Sequence, residues 1–412
     1  MKPLLHLFNP GHETAVLSGS PHYTPPANVQ RMTKELALLP LWYAAPRDRV
    51  WAGTEGKEEP AISSFLSNLP SELGPFPAVT GQRELLASGK SFPPFEAAPW
   101  GLSPQSVFLF QELKRKGGLS LEVPEWKPEF VRLTGRQTAA ACLETMRALR
   151  PDLAFPAPPR FCTQREEAEH YQEAEQPPLL VKTPYSSSGR GLLWLPEGKV
   201  TAQDRQWIEG AIRKQGCVSI ERALERIRDF AVELYSDGTG RVRYIGLSLF
   251  GTAAKGSYSG NFLGDQASLK RTLTEITGEE LFDDAVETAR QAVEKTYGSL
   301  YRGYLGVDML VYRRHDGSAA IHPCIEINMR YTMGMVACRL SERFLAPDTQ
   351  GHFFVTSDPS PGEAYRRHAL LQAAHPLECV EGKIKRGYLS LCPVSAETKY
   401  RAYLLVQEDI SI

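Results

Sequence analysis

The chain predicts a mixed fold, a small α/β domain followed by α+β domains, and three observations predict it. Its 412 residues exceed what one hydrophobic core ordinarily serves, so two or three domains are expected. The first ~125 residues alternate short apolar runs with Pro-rich loops, as in "LLHLF", "LALLPLWYAA" and "SVFLFQEL". The middle of the chain carries strand-like runs, a hairpin and one long amphipathic helix.

Taken in order, the chain opens on an expected strand at "LLHLF". A helix is expected at "TGRQTAAACLETMRALR", with Thr134 as its N-cap and Ala139, Cys142, Met146 and Leu149 on one face. "REEAEHYQEAE" reads as a polar helix, and "LLVK" and "GLLWL" as strands. "DRQWIEGAIRKQG" is helical by pattern. "CVSIERAL", "DFAVELYSD" and "RVRYIGLSLFG" are strand-like. "EELFDDAVETARQAVEKTYG" is the long helix, with Leu281, Ala285, Ala289, Ala292 and Val293 along one stripe. "GVDMLVYRRHDGSAAIHPCIEIN" is a hairpin, and the tail mixes polar loops with two late strands, "GYLSLC" and "YRAYLLV". The expected division is 1–128, 129–218, 219–345 and a C-terminal extension at 346–412.

Composition excludes several classes. The net charge is -1, with 47 basic and 48 acidic side chains, which is no nucleic-acid footprint. No stretch reaches the roughly 18 apolar residues of a membrane span, and no signal segment is visible. The seven cysteines are scattered and form no CxxC, so neither a zinc site nor a disulfide framework is indicated. A reducing cytoplasm is the expected compartment.

"VKTPYSSSGRG" joins a strand-end lysine, Lys182, to a loop almost bare of side chains. Such a loop exposes backbone N–H groups to phosphate oxygens, and the lysine adds a point charge. A plain hairpin turn with a surface lysine is the other reading. No Walker A pattern and no GxGxxG is present. The hairpin "GVDMLVYRRHDGSAAIHPCIEINMR" supplies a second constellation. With a three-residue turn centred on Gly317, Asp308 stands opposite Glu326, and Glu326, Asn328 and Arg330 alternate onto one face. Opposed carboxylates in a strand are unfavourable, and a divalent cation such as Mg²⁺ removes the conflict. A solvated sheet face with an Arg–Glu pair is the alternative.

Lysine strand, Gly/Ser loop, Asp strand and Glu-x-Asn strand occur here in the order seen in the ATP-grasp superfamily, which the stretch 130–340 resembles. The resemblance implies an N-terminal pre-ATP-grasp-like α/β domain. It implies next a two-subdomain ATP-grasp fold whose nucleotide cleft lies between antiparallel sheets. It implies a carboxylate–amine (or carboxylate–thiol) ligase that uses ATP and two Mg²⁺ ions, forms an acyl phosphate, and releases ADP and phosphate. By position, Lys182 would meet the α- and β-phosphates. Ser186, Ser187, Ser188, Gly189 and Gly191 would close over them. Glu221, Arg222, Ala223 and Leu224 would hold adenine, and Asp229 the ribose. Lys255 would approach the γ-phosphate. Asp308, Glu326 and Asn328 would hold Mg²⁺, and Arg330 would face the transferred phosphoryl group.

Two positions depart from the pattern. Arg136 stands where the superfamily often has an early lysine. Gly306 stands where some ligases carry an arginine, which leaves Arg330 or Arg302 to meet transition-state charge. A kinase on the same scaffold, or a non-catalytic nucleotide-binding protein, are the rival readings. In the N-terminal stretch "FNPGHETAVLSGSPHYTPPANV", Asn9, His12, Glu13 and Tyr23 either bind the small-molecule acceptor or simply make turns. His322 is expected as a structural neighbour of the metal strand. A homodimer is compatible with the superfamily; nucleic acid and membrane are not expected partners.

Overall fold

The computed structural model describes residues 2–53, 59–174, 178–186, 191–196, 200–252 and 258–407. The chain forms two compact units. One comprises Met1–Lys127, Ser259–Ser268 and Met333–Ile412; the other comprises Pro128–Tyr258 and Leu269–Thr332. The expected C-terminal extension thus folds with the N-terminal segment.

In the first unit, five parallel strands stand in the order Ala78–Thr80, Arg49–Trp51, Leu4–Leu7, Phe95–Pro99, Leu121–Glu122. Leu5, Trp51, Phe95, Phe110 and Leu113 form a core against the helix Pro104–Gly117. Chain direction across the sheet reverses between Leu4–Leu7 and Phe95–Pro99, and the crevice beyond their carboxyl ends is where open α/β sheets take ligands. The same unit carries an antiparallel sheet of Gly351–Ser357, Tyr400–Val406, Lys383–Ser390 and Glu378–Val380. The tail is therefore more ordered than its polarity suggests. The strand Gly351–Ser357 and the helix Glu363–Ala374 occupy stretches expected as polar loops. A fully buried pair, Arg401 Nε to Asp358 Oδ2 at 3.0 Å, pins the start of the strand Tyr400–Val406 to the loop before that helix.

The second unit holds two antiparallel sheets. The smaller has the order Arg160–Cys162, Val218–Arg222, Leu179–Lys182, Leu192–Leu195. Its core face, with Leu179, Val181, Val218 and Ile220, packs with Ile208 and Ala211 of the helix Ala202–Gln215. The larger runs Ala319–Asn328, Arg302–Arg313, Glu225–Asp237, Val242–Thr252. Phe282, Ala285, Ala289, Ala292 and Val293 are buried along the helix Glu279–Tyr297, the stripe that the sequence indicates apart from Leu281, which is half-buried.

Two local expectations are corrected. Thr134 ends the helix Glu129–Thr134 and donates to Phe130 O, so the next helix, Arg136–Leu149, starts from Gly135 without a side-chain cap. The hairpin turn is centred on Asp316, since Arg313 pairs Ala319 and Arg314 N donates to Ser318 O. Asp308 nonetheless faces Glu326. Between Leu310↔His322 and Asp308↔Glu326, three residues of one strand oppose Met309 alone. This bulge contains Pro323, which has no N–H to give a ladder. The resulting offset is even, so every side chain keeps its face.

In the first unit Gly101 lies against the His12 ring, where an added Cβ would approach to 2.4 Å. Gly101→Ala should cost about 1–3 kcal/mol of stability, the usual range for overpacking, read as a lower denaturant midpoint with unchanged slope.

Candidate functional site

The strand Leu179–Lys182 buries Leu179 and Val181 in its own core, which turns Lys182 to the opposite face. Lys182 is only 5% exposed, and its ammonium pairs with the Glu221 carboxylate on the neighbouring strand. Burial alone would raise the Glu221 carboxyl. The Lys182 ammonium, with Arg136, outweighs it and holds the group below the usual carboxylate range. His322 is buried, and burial pushes its imidazole down to about 4. It is therefore neutral, with Nδ1 accepting from Cys324 N at 3.3 Å. It sits electrostatically beside Lys182 and Glu221, the neighbour role expected of it.

The loop after Lys182 is pinned at both described ends. Thr183 N donates to Gly191 O at 2.9 Å. Gly191 has φ +82, and a Cβ there would lie 2.3 Å from Thr183 Oγ1 and 2.9 Å from Ser186 Cβ. Only glycine suits both demands. Ser187, Ser188 and Gly189 lie outside the described residues, as does Lys255.

Arg136 opens its helix with a guanidinium that reaches three places. Nε donates to Thr183 O at 3.1 Å, Nη2 donates to Ser186 Oγ at 3.3 Å, and Nη2 pairs with Glu326 Oε2 at 2.9 Å. One side chain thus ties the Lys182 loop to the carboxylate strand, about 140 residues further along the sequence.

On that strand pair the face is polar at one end. Asn328 Nδ2 donates to Asp308 Oδ2 at 3.2 Å, and Arg330 Nη2 donates to Asn328 Oδ1 at 2.8 Å. Burial, followed by the Glu326 charge, pushes the Asp308 carboxyl up to about 7. A third acid, Glu233, shares the face, and sequence reasoning misses it. Thr332 Oγ1 donates to its Oε2 at 2.8 Å, while Oε1 is buried without a hydrogen-bond partner. Burial chiefly, with Asp308 adding, pushes this carboxyl up to about 8. A lone acid inside the apolar run "FAVEL" is the available signal.

Gly306 pairs with both Glu233 and Asn328. A Cβ there would come within 2.7 Å of Thr332 Cγ2 and 3.2 Å of Glu233 Oε2, so the space an arginine would need is filled. Arg302 pairs with Asp237 at the far end of its strand, roughly 20 Å of chain from Asp308. Of the two arginines considered for transition-state charge, Arg330 alone lies beside these carboxylates.

The face is apolar at its other end. Leu310, Tyr312 and Ala320 cluster there with Leu224 and Ile325. Ala223 N donates to Pro178 O, and Arg222 Nη2 lies 3.0 Å from His315 Nε2. Asp229 accepts from Thr252 Oγ1 at 2.6 Å and pairs with Arg226 at 3.2 Å; burial raises its carboxyl.

The N-terminal candidates lie in the first unit, and the structure gives Asn9, His12 and Tyr23 internal polar contacts. Asn9 Nδ2 donates to Gly101 O at 2.7 Å, and Asn9 Oδ1 accepts from Gly101 N at 3.2 Å. His12 Nε2 lies 2.9 Å from Leu102 O, Glu13 is buried, and Tyr23 OH donates to Thr14 Oγ1. These contacts join the loops after Leu4–Leu7 and Phe95–Pro99, at the crevice where the sheet reverses.

No protein-family model and no curated sequence matches the chain. Solved structures do. The biotin carboxylase domain of Hydrogenobacter thermophilus 2-oxoglutarate carboxylase, crystallised as a dimer with MgADP, ADP and bicarbonate, is 11% identical. It aligns over 98% of this chain and 86% of its own at a TM-score of 0.51. This is the ATP-grasp fold. Two further ATP-grasp structures align below 0.5 and add nothing to the assignment. N5-carboxyaminoimidazole synthetase from Staphylococcus aureus is 12% identical, over 99% and 95% of the two chains, at 0.48. Biotin carboxylase from Campylobacter jejuni is 13% identical, over 76% and 71%, at 0.47.

The donor set suits a hard divalent cation. It has three carboxylates and an amide oxygen, one carboxylate oxygen buried without a partner, and a like-charge pair that a cation would relieve. Among the described residues no three His, Cys, Asp or Glu side chains already converge as a cage. No helix among the described residues is long and apolar enough to cross a membrane, and no disulfide joins any two of the seven cysteines.

Glu221 carries a checkable pH signature. Its folded pKa is lowered, so its contribution to stability is fully present above the unfolded value of about 4.3 and is lost as pH falls through the folded value. Glu221→Gln should flatten the acid limb of the stability curve below about pH 4.3 relative to the parent protein, measured by urea unfolding across pH.

Proposed function

We propose that this chain is an ATP-dependent ligase that joins a carboxylate to an amine, or less commonly a thiol, through an acyl phosphate. The observation that carries the reading is the Arg136 guanidinium. It holds the Lys182 loop and Glu326 at one place, so the phosphate grip and the carboxylate face form a single site.

In this reading the purine lies against the apolar end formed by Leu224, Leu310 and Tyr312, beside Glu221, Arg222 and Ala223. Asp229 takes the ribose. Lys182 and Arg136 meet the phosphates, beside Ser186 and Gly191 at the described ends of the loop. Asp308, Glu326 and Asn328 would hold two Mg²⁺ ions, which when bound neutralise charge on the β- and γ-phosphates. MgADP in the Hydrogenobacter domain of the same fold supports that choice. The acceptor carboxylate oxygen attacks the γ-phosphorus and ADP leaves. The amine nitrogen then attacks the acyl carbon and phosphate leaves. Arg330 faces the charge that develops on the transferred group. For Asn9, His12, Glu13 and Tyr23 the proposal is a small-molecule contact at the first unit's own crevice. A cytoplasmic, homodimeric enzyme is part of the same proposal.

The test is product analysis with Mg-ATP and pooled amino acids, peptides and small carboxylates, bicarbonate included. ADP, free phosphate and a product one water lighter than its parents are expected. ADP with a phosphorylated acceptor would make it a kinase, and nucleotide binding without any ADP would make it a non-catalytic binder. Glu326→Ala should lower turnover by on the order of 10²-fold or more with its circular dichroism unchanged; parental turnover would remove the metal assignment.

A further inference from the structure

Two rows of three residues cross the polar end of the larger sheet in the second unit. One row is Glu233, Gly306, Asn328; the next is Ala231, Asp308, Glu326. Gly306, in the middle of the first row, has no side chain. The Glu233 carboxylate occupies that gap, with Oε2 only 3.2 Å from where a Cβ of residue 306 would be. Thr332 Oγ1 fixes Oε2. Oε1 is buried without a hydrogen-bond partner, in a side chain only 2% exposed.

A buried carboxylate oxygen without a partner is costly. Glu233 is itself buried, so an apolar residue would suit folding better at 233. The arrangement of the gap, the threonine clamp and the unbonded oxygen has a use if a ligand supplies the missing partner. The geometry points to Glu233 as a third carboxylate of the divalent-cation site, offering Oε1 to the cation while Thr332 holds Oε2. This rests on the ATP-dependent ligase proposal and extends it to this chain's own residue.

A third carboxylate strengthens attraction for a hard cation. The experiment is Mn²⁺ titration of the full chain by electron paramagnetic resonance, with and without ADP, for the parent, Glu233→Gln and Asp308→Asn. Glu233→Gln should weaken Mn²⁺ about tenfold or more, while its circular dichroism matches that of the parent. Parental Mn²⁺ affinity in Glu233→Gln, with loss in Asp308→Asn, overturns the proposal and leaves the ligase reading standing. A parent protein that binds no Mn²⁺ even with ADP overturns both. Should circular dichroism show Glu233→Gln unfolded, Glu233→Asp decides: the carboxylate is withdrawn by one methylene, so weaker Mn²⁺ supports the proposal and parental affinity overturns it.

Discussion

Asp308 and Glu326 face each other across two strands of a covered sheet, and the repulsion between them organises what surrounds them. Each carboxylate has drawn a counterpart: Arg136 on Glu326, and Asn328 on Asp308 with Arg330 behind it. These partners moderate the conflict without removing it, since Asp308 still holds its proton to about pH 7. A fold that only needed to be stable would have placed apolar residues here. The retained like-charge conflict suits the cation and phosphate site proposed above.

Arg136 links this surface to the rest of the second unit. Because it also binds Thr183 O and Ser186 Oγ, the strand end at Lys182 and the carboxylate strand are held in one frame. The Lys182–Glu221 pair and neutral His322 continue the same buried polar seam. Its members are partnered enough to survive burial, and the apolar group Leu224, Leu310 and Tyr312 adjoins them.

Much of this is legible in the amino-acid sequence. Lys182 ends an apolar run, and the even spacing of Glu326, Asn328 and Arg330 fixes a shared face. Asp308 opposite Glu326 follows even from a turn centre one residue away from the real one, because the bulge at Pro323 compensates. Glu233 is not legible, because its position depends on pairing between Glu225–Asp237 and Arg302–Arg313, strands joined by no turn. The tasks of Asn9 and His12 are hidden for the same reason, since their partners Gly101 and Leu102 lie far along the chain. The tail misleads because the half-buried strand Gly351–Ser357 has a polar flank that resembles loop composition.

The bulge in the hairpin also separates two things that evolution can alter independently. On the turn side of Leu310 the register answers to the Asp316 reversal; on the site side it answers to Glu326. The exposed reversal can therefore drift in composition and in loop shape, with the slack absorbed before it reaches the carboxylates.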